Sequence, residues 1–263
     1  MQAGSVRAAP HDAYNLLLLL EMQTAIGAMC MRLGGYGTVG CTMRVLVACE
    51  FSGIVREAFR RRGHDAISID LLPSELPGPH VQGDVYELLT GRLFQRLGTY
   101  QQVPREWYTS DGKLLIDMML AFYSCRYLCN SGVKHLYNSG RKVNGRDEAR
   151  WDEMRKAAGF FRFLLEQPIK RICLENPIQH SHAQAIIRQR HTQIIQPWQF
   201  GHGETKATCL WLKGLPKLIP TNVVSGRTPR VHYESPGRDR WKERSRTLQG
   251  IADAMAAQWG YCK

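Results

Sequence analysis

From Met43 onward the chain alternates two apolar patterns. Arg44-Val45-Leu46-Val47-Ala48-Cys49 is a short unbroken apolar run, as expected of a strand covered on both faces. Glu50-Phe51-Ser52-Gly53 reads as a turn. Ile54, Val55, Ala58 and Phe59 then recur at helical spacing until Gly63 stops the helix. Ala66-Ile67-Ser68-Ile69 predicts a second strand ending at Asp70. Gln82-Gly83-Asp84 follows a loop containing Pro73, Pro77, Gly78 and Pro79. Residues 114–122 predict another strand, ending near Cys125. Trp151, Met154, Ala158, Phe161 and Leu165 mark one face of a helix that packs on the core. Ile172-Cys173-Leu174 predicts a further strand, ending at Glu175-Asn176-Pro177. Strand–helix alternation of this kind predicts an α/β fold with a mostly parallel, doubly wound sheet.

Residues 1–42 lack this regularity. Their scattered Gly34, Gly35, Gly37 and Gly40 mark an N-terminal appendage, expected to be poorly ordered. An extended start of the reading frame, or a short amphipathic helix at about 13–32, accounts for it. The Leu16–Leu20 cluster is stopped by Glu21, and no run approaches the ~18 uncharged apolar residues of a membrane span. The stretch also lacks a convincing signal-cleavage site. Eight Cys in 263 residues are too dispersed for a disulfide scaffold, so a reducing cytoplasm is the expected setting, and a monomer the expected state.

Net charge changes the picture of partners. The chain carries 35 Lys and Arg against 23 Asp and Glu, a formal charge of +12. Arg7, Arg32, Asp12 and Glu21 cancel within 1–42, so the excess belongs to 43–263. A basic folded domain points to a polyanion, with nucleic acid first. Residues 225–246 hold seven Arg and Lys against three acids, with Tyr233 and Trp241 available to stack.

Five reactive side chains each follow a predicted strand: Glu50, Asp70, Asp84, Cys125 and Glu175. Ligands of open α/β sheets bind along the carboxyl ends of the strands. Any one of these residues is an ordinary turn or cap residue; five together predict a cleft. A carboxylate ending the second strand suits two ribose hydroxyls, and Asp84 suits an adenine amino group. No G-x-x-x-x-G-K-[ST] loop is present, which argues against a phosphate-cradling NTPase. A thiol at a strand end can serve as nucleophile once its pKa is lowered, and a buried carboxyl beside it can serve as general acid. Cys129 competes with Cys125 for the first role. His180, His182, His191 and His202 have no metal-ligand spacing, so no metal site is expected.

Val45 to Gly53, Asp70, Gln82-Gly83-Asp84-Val85, Cys125 with Tyr127-Leu128-Cys129-Asn130-Ser131-Gly132, and Leu174-Glu175-Asn176-Pro177 together resemble the phage and prophage DNA cytosine-5 methyltransferases. The resemblance continues through Gln196–Gly201, Glu204–Leu212 and Arg244–Gly260. It implies a Rossmann-like methyltransferase sheet with a small C-terminal basic region, S-adenosylmethionine as cofactor and DNA as partner. Glu50, Phe51, Ser52, Gly53, Asp70 and Asp84 would line the cofactor. Cys125 would be the nucleophile, Glu175 the acid, with Asn176 and Lys206 beside them. Thr208, Arg238, Arg240 and Lys242 would meet DNA, within a short recognition stretch at about 213–243.

The chain departs from that pattern in two places. Tyr123-Ser124 stand where the family carries Pro-Pro before its cysteine, and residues 90–113 form an atypical insert within the 41 positions separating Asp84 from Cys125. A catalytically impaired DNA-binding protein of the same fold is therefore the alternative. A methyltransferase for exocyclic amines is the third reading, and it would not need the thiol.

Overall fold

The computed structural model describes residues 42–92, 103–233, 237 and 240–261. The appendage lies outside the described residues, as do Arg238 and most of the first part of the insert.

Seven strands form one sheet: β1 (Arg44–Ala48), β2 (Asp65–Asp70), β3 (His80–Gln82), β4 (Met118–Ala121), β5 (Arg171–Pro177), β6 (Gln193–Ile195) and β7 (Thr208–Lys213), in the order β3-β2-β1-β4-β5-β7-β6. All run one way except β7, which pairs antiparallel with both β5 and β6. The helices are α1 (Ile54–Arg60), α2 (Val85–Leu89), α3 (Glu148–Leu165), α4 (Ser181–Ile187), α5 (Arg230–Tyr233), α6 (Arg240–Ser245) and α7 (Gln249–Trp259). No helix among the described residues is long and apolar enough to cross a membrane.

Alternation along the strands divides the core into two layers. Val45, Val47, Met118, Leu120 and Leu210 face α1 and α7, where they meet Phe59, Ile251 and Met255. Leu46, Ala48, Ile67, Ile69, Met119, Ile172 and Leu174 face the other way, against Val85, Phe161, Leu164 and Ile187. Burial on both sides explains why β1, β4 and β5 read as unbroken apolar runs. α7 packs tightly at Gly250 against the loop carrying Phe200, where a Cβ would come within 1.9 Å of the Phe200 carbonyl oxygen.

Two expectations are revised. The sheet is mostly parallel, but the period-based reading did not anticipate β6 and β7 or the reversed direction of β7. The strand expected over 114–122 is confined to Met118–Ala121. Leu114 instead bridges Tyr108, Leu115 N–H donates to Trp107 O, and Asp117 is drawn into a bidentate ion pair with Arg44. The described part of the insert is packed into the domain. Trp107 is buried, and its indole N–H donates to Asp65.

Candidate functional site

The sheet changes winding direction between β1 and β4. β2 and β3 lie to one side of β1, and the chain then crosses to β4 on the other. The carboxyl ends of β1 and β4 therefore flank the crevice where such sheets bind ligands.

On the β1 side the turn is built tightly. Cys49 ends the strand in the left-handed region, with φ 56°. Gly53 follows at φ 78°, where a Cβ would lie 2.7 Å from Arg56 Nη2. Glu50 is buried beneath this turn. Its Oε1 accepts from the Ser52 hydroxyl and from Ile54 N–H (3.1 Å), so the carboxylate caps the start of α1. Oε2 is buried without a hydrogen-bond partner. Burial raises the Glu50 pKa, against the opposing pull of the Ser52 hydroxyl and the Arg56 charge. Phe51 is buried, and its ring centroid lies 6.2 Å from that of Trp241 on α6.

Asp70 ends β2 with Oδ1 accepting from Leu72 N–H at 2.9 Å. Asp84 caps α2 through Oδ1, which accepts from Tyr86 N–H at 2.8 Å. Each keeps its second oxygen free of a protein hydrogen bond among the described residues. Burial raises the Asp70 pKa. Burial raises that of Cys49 too, and the negative charges of Asp70 and Asp84 add to the shift, so these three groups share one field.

A residue that the apolar pattern did not reveal supports this half. Arg56 is fully buried on α1. It donates to Glu57, Ser68, Ser74 and the carbonyls of Leu76 and Pro77 at 2.8–3.1 Å. Ser68 Oγ in turn lies 2.8 Å from His80 Nδ1, and His80 Nε2 lies 2.9 Å from Leu72 O. The carbonyl requires the proton on Nε2, so Nδ1 accepts from Ser68. This chain of bonds pins the Pro-rich loop that carries the rim of the cleft.

On the β4 side, Tyr123 and Ser124 lead into Cys125. The Tyr123 ring packs on Phe160 of α3 at 4.9 Å. Asn176 Nδ2 donates to the Tyr123 carbonyl at 2.8 Å, and Asn176 itself is buried. Asn176 thus ties the end of β5 to the loop before Cys125, in which Tyr123-Ser124 stand in place of Pro-Pro.

Cys125 is exposed and Cys129 buried. Cys129 N–H donates to Cys125 O at 3.0 Å, so one turn of backbone brings the two thiols to the same side. The neighbouring Cys129 thiol raises the Cys125 pKa, the Glu175 charge acts the same way, and Lys206 opposes them. The pKa of Cys129 falls, because Cys125, the Ser131 hydroxyl and the Gly132 N–H can all donate to its thiolate. Cys125 is the more accessible of the two.

Glu175 faces Lys206, Thr208 and Arg246 across a small cavity that Phe122 and Leu248 help close. Burial raises the Glu175 pKa, and the Lys206 charge lowers it less. Lys206 and Thr208 reach this edge because β7 is antiparallel: its first residue pairs with Pro177 at the end of β5. Thr208 is buried, its hydroxyl donating to Lys206 O at 3.0 Å. Lys206 Nζ donates to Arg244 O at 2.8 Å.

The segment after α5 closes over the same edge. Arg246 makes a two-point ion pair with Glu75 at 2.6 and 2.8 Å and a second pair with Glu243. Arg240 and Lys242 lie on α6, Lys242 with its ammonium 5.7 Å from the Trp241 ring. Arg56 and Glu75 drew no notice in the sequence, since the loop carbonyls bound by Arg56 and the Arg246 bound by Glu75 lie far along the chain. The histidines serve the fold: His180 accepts from Ala183 N–H and bonds Tyr127 O, and His182 bonds Tyr137. Among the described residues no three His, Cys, Asp or Glu side chains cluster for a metal. No protein-family model and no curated protein matches this chain.

Proposed function

We propose that the protein is an S-adenosylmethionine-dependent DNA cytosine-5 methyltransferase. The observation that carries this reading is the convergence of an exposed thiol (Cys125), a carboxyl of raised pKa (Glu175) and a lysine (Lys206) beside a second cluster of carboxylates at one switch point. The sheet order, with one antiparallel strand between β5 and β6, supports a methyltransferase-type Rossmann sheet.

The cofactor fits the β1 side. Glu50 Oε2 is an orphaned acceptor, Asp70 and Asp84 each offer an oxygen to hydroxyl or amino donors, and the Gly53 turn leaves backbone open to approach. When bound, S-adenosylmethionine supplies an electrophilic methyl group. The protein's own residues then make the cytosine reactive. The Cys125 thiolate, formed by loss of its proton to solvent, adds to C6. Glu175, whose protonated form burial favours, gives a proton to N3, so that C5 gains electron density. After methyl transfer, water takes the C5 proton, the 5,6 double bond re-forms, the Cys125 thiolate leaves and N3 returns its proton to Glu175. The base has to leave the duplex first, at a cost of a few kcal/mol.

The impaired alternative draws on a specific feature: Cys129 and the Glu175 charge beside Cys125 raise its pKa and so disfavour the thiolate. Incubation with DNA and isotopically labelled S-adenosylmethionine, followed by digestion to nucleosides and mass spectrometry, separates the readings. Labelled 5-methylcytosine supports the proposal. Label on N4 of cytosine or N6 of adenine means exocyclic-amine chemistry. Cofactor binding without labelled nucleoside means a non-catalytic protein.

A further inference from the structure

Among the described residues, a run of cations with no carboxylate ion pair follows Cys125, in a segment the sequence reading did not assign to DNA. Residues 126–150 contain Arg126, Lys134, Arg141, Lys142, Arg146 and Arg150 against two acids, Asp147 and Glu148. Both acids are engaged locally. Asp147 caps α3 by accepting from Arg150 N–H at 3.1 Å, and Glu148 pairs with Arg155 at 3.6 Å. None of the six cations forms an ion pair with a carboxylate among the described residues, and all but the half-buried Arg150 are exposed.

Aromatic rings hold several of these heads in place. Arg126 and Arg150 both lie 5.3 Å from the Tyr127 ring, Lys142 lies 5.9 Å from Tyr137, and Arg146 lies 4.3 Å from Trp151. Such interactions restrain a cation without neutralising it. The backbone is also fixed: Cys129 bridges Gln179, His180 N–H donates to Leu128 O, and Tyr137 bridges Arg146. The result is a rigid, positively charged shelf that begins at Cys125. In 225–246, by contrast, Arg230 pairs with Glu204, and Arg246 with Glu75 and Glu243.

We propose that the 126–150 shelf is the main docking surface for the phosphate backbone of duplex DNA, and that the C-terminal basic stretch chiefly closes the domain. This rests on the DNA substrate of the functional reading, and not on its chemistry.

The test measures affinity for a 20-base-pair duplex over a range of salt. The triple variant Arg141→Ala, Lys142→Ala, Arg146→Ala should weaken binding. It should also flatten the slope of log affinity against log salt by about 0.9 for each phosphate no longer neutralised, up to ~2.7 for all three. A control replacing Lys170, Lys213 and Lys217 with Ala, beyond the opposite edge of the sheet, should leave the slope as in wild type. Arg141→Lys with Arg146→Lys should also retain it, which separates a missing charge from a failure to fold. An unchanged slope in the triple variant, equal losses in the control, or tighter binding of an RNA duplex than of DNA through these residues would overturn the proposal, as would a wild type that binds no DNA. A flattened slope in a protein that yields no labelled nucleoside would keep the surface and remove the methyltransferase reading.

Discussion

The two halves of the sheet's carboxyl edge are built to different rules. The β1–β3 half is held from beneath by Arg56, a buried guanidinium that binds two serines and two loop carbonyls. The β4–β5 half is held by a tether, from Asn176 to the Tyr123 carbonyl, and leaves Cys125 open to solvent. The first half has fixed shape and unused acceptors, which suits binding. The second has an accessible thiol near a buried carboxyl of raised pKa, which suits a covalent step. Buried hydrogen-bonded charge gives rigidity at a high cost of disruption, whereas a reactive group requires access.

The sharpest test of the second half is complete loss of a signal. DNA containing 5-fluorocytosine should form a covalent adduct with the protein, stable on a denaturing gel, because fluorine blocks the final proton loss. Cys125→Ser should abolish it. Cys129→Ser should keep the adduct. An adduct on Cys129 would exchange the roles of the two thiols.

Next in size, Glu175→Gln should slow adduct formation by about 10²–10⁴-fold, the usual contribution of a positioned acid. An effect below tenfold would place the N3 proton donor elsewhere. The first half should respond in stability. Arg56→Ala leaves Glu57, Ser68, Ser74 and two carbonyls without their donor, and urea denaturation should report a loss of about 3–5 kcal/mol. A loss below about 1 kcal/mol would mean that the loop does not depend on the buried charge. Asp70→Ala should weaken S-adenosylmethionine binding by ~1.5–3 kcal/mol in calorimetry and leave the melting temperature nearly unchanged. Equal binding by the variant would remove Asp70 from the cofactor site.

The smallest expected effect concerns pH. Burial lowers the pKa of His80 and of His64, so the native state resists protonation that the unfolded chain accepts. Their contribution is present above the unfolded value of about 6.5 and is lost as pH falls below it, by at most about 1.4 kcal/mol per pH unit for each histidine. His80→Gln should flatten that slope in denaturation curves between neutral and mildly acidic pH.

The candidate site was partly legible because its residues mark strand ends. Glu50, Asp70, Asp84 and Glu175 follow or end apolar runs whose strand character is local, and the structure brings them to one edge. Lys206 was legible only through the family resemblance. Position along a parallel fold would not have delivered it there, because its arrival depends on β7 running backward beside β5. The pairing state of the cations was not legible at all. Arg246 looked like a free charge for DNA, but its carboxylate partner Glu75 lies 171 positions away.

By itself the sequence determined the alternation of buried strands and helices, the chemical types available at the strand ends and the positive charge of the domain. Each follows from local apolar period, turn chemistry or composition. Tertiary structure decided the direction of β7, the burial of Arg56, the greater accessibility of Cys125 than of Cys129, and which basic residues remain unpaired. Those properties depend on which atoms lie within a few ångströms of one another, and such neighbours are set by packing between segments that the local pattern treats as independent.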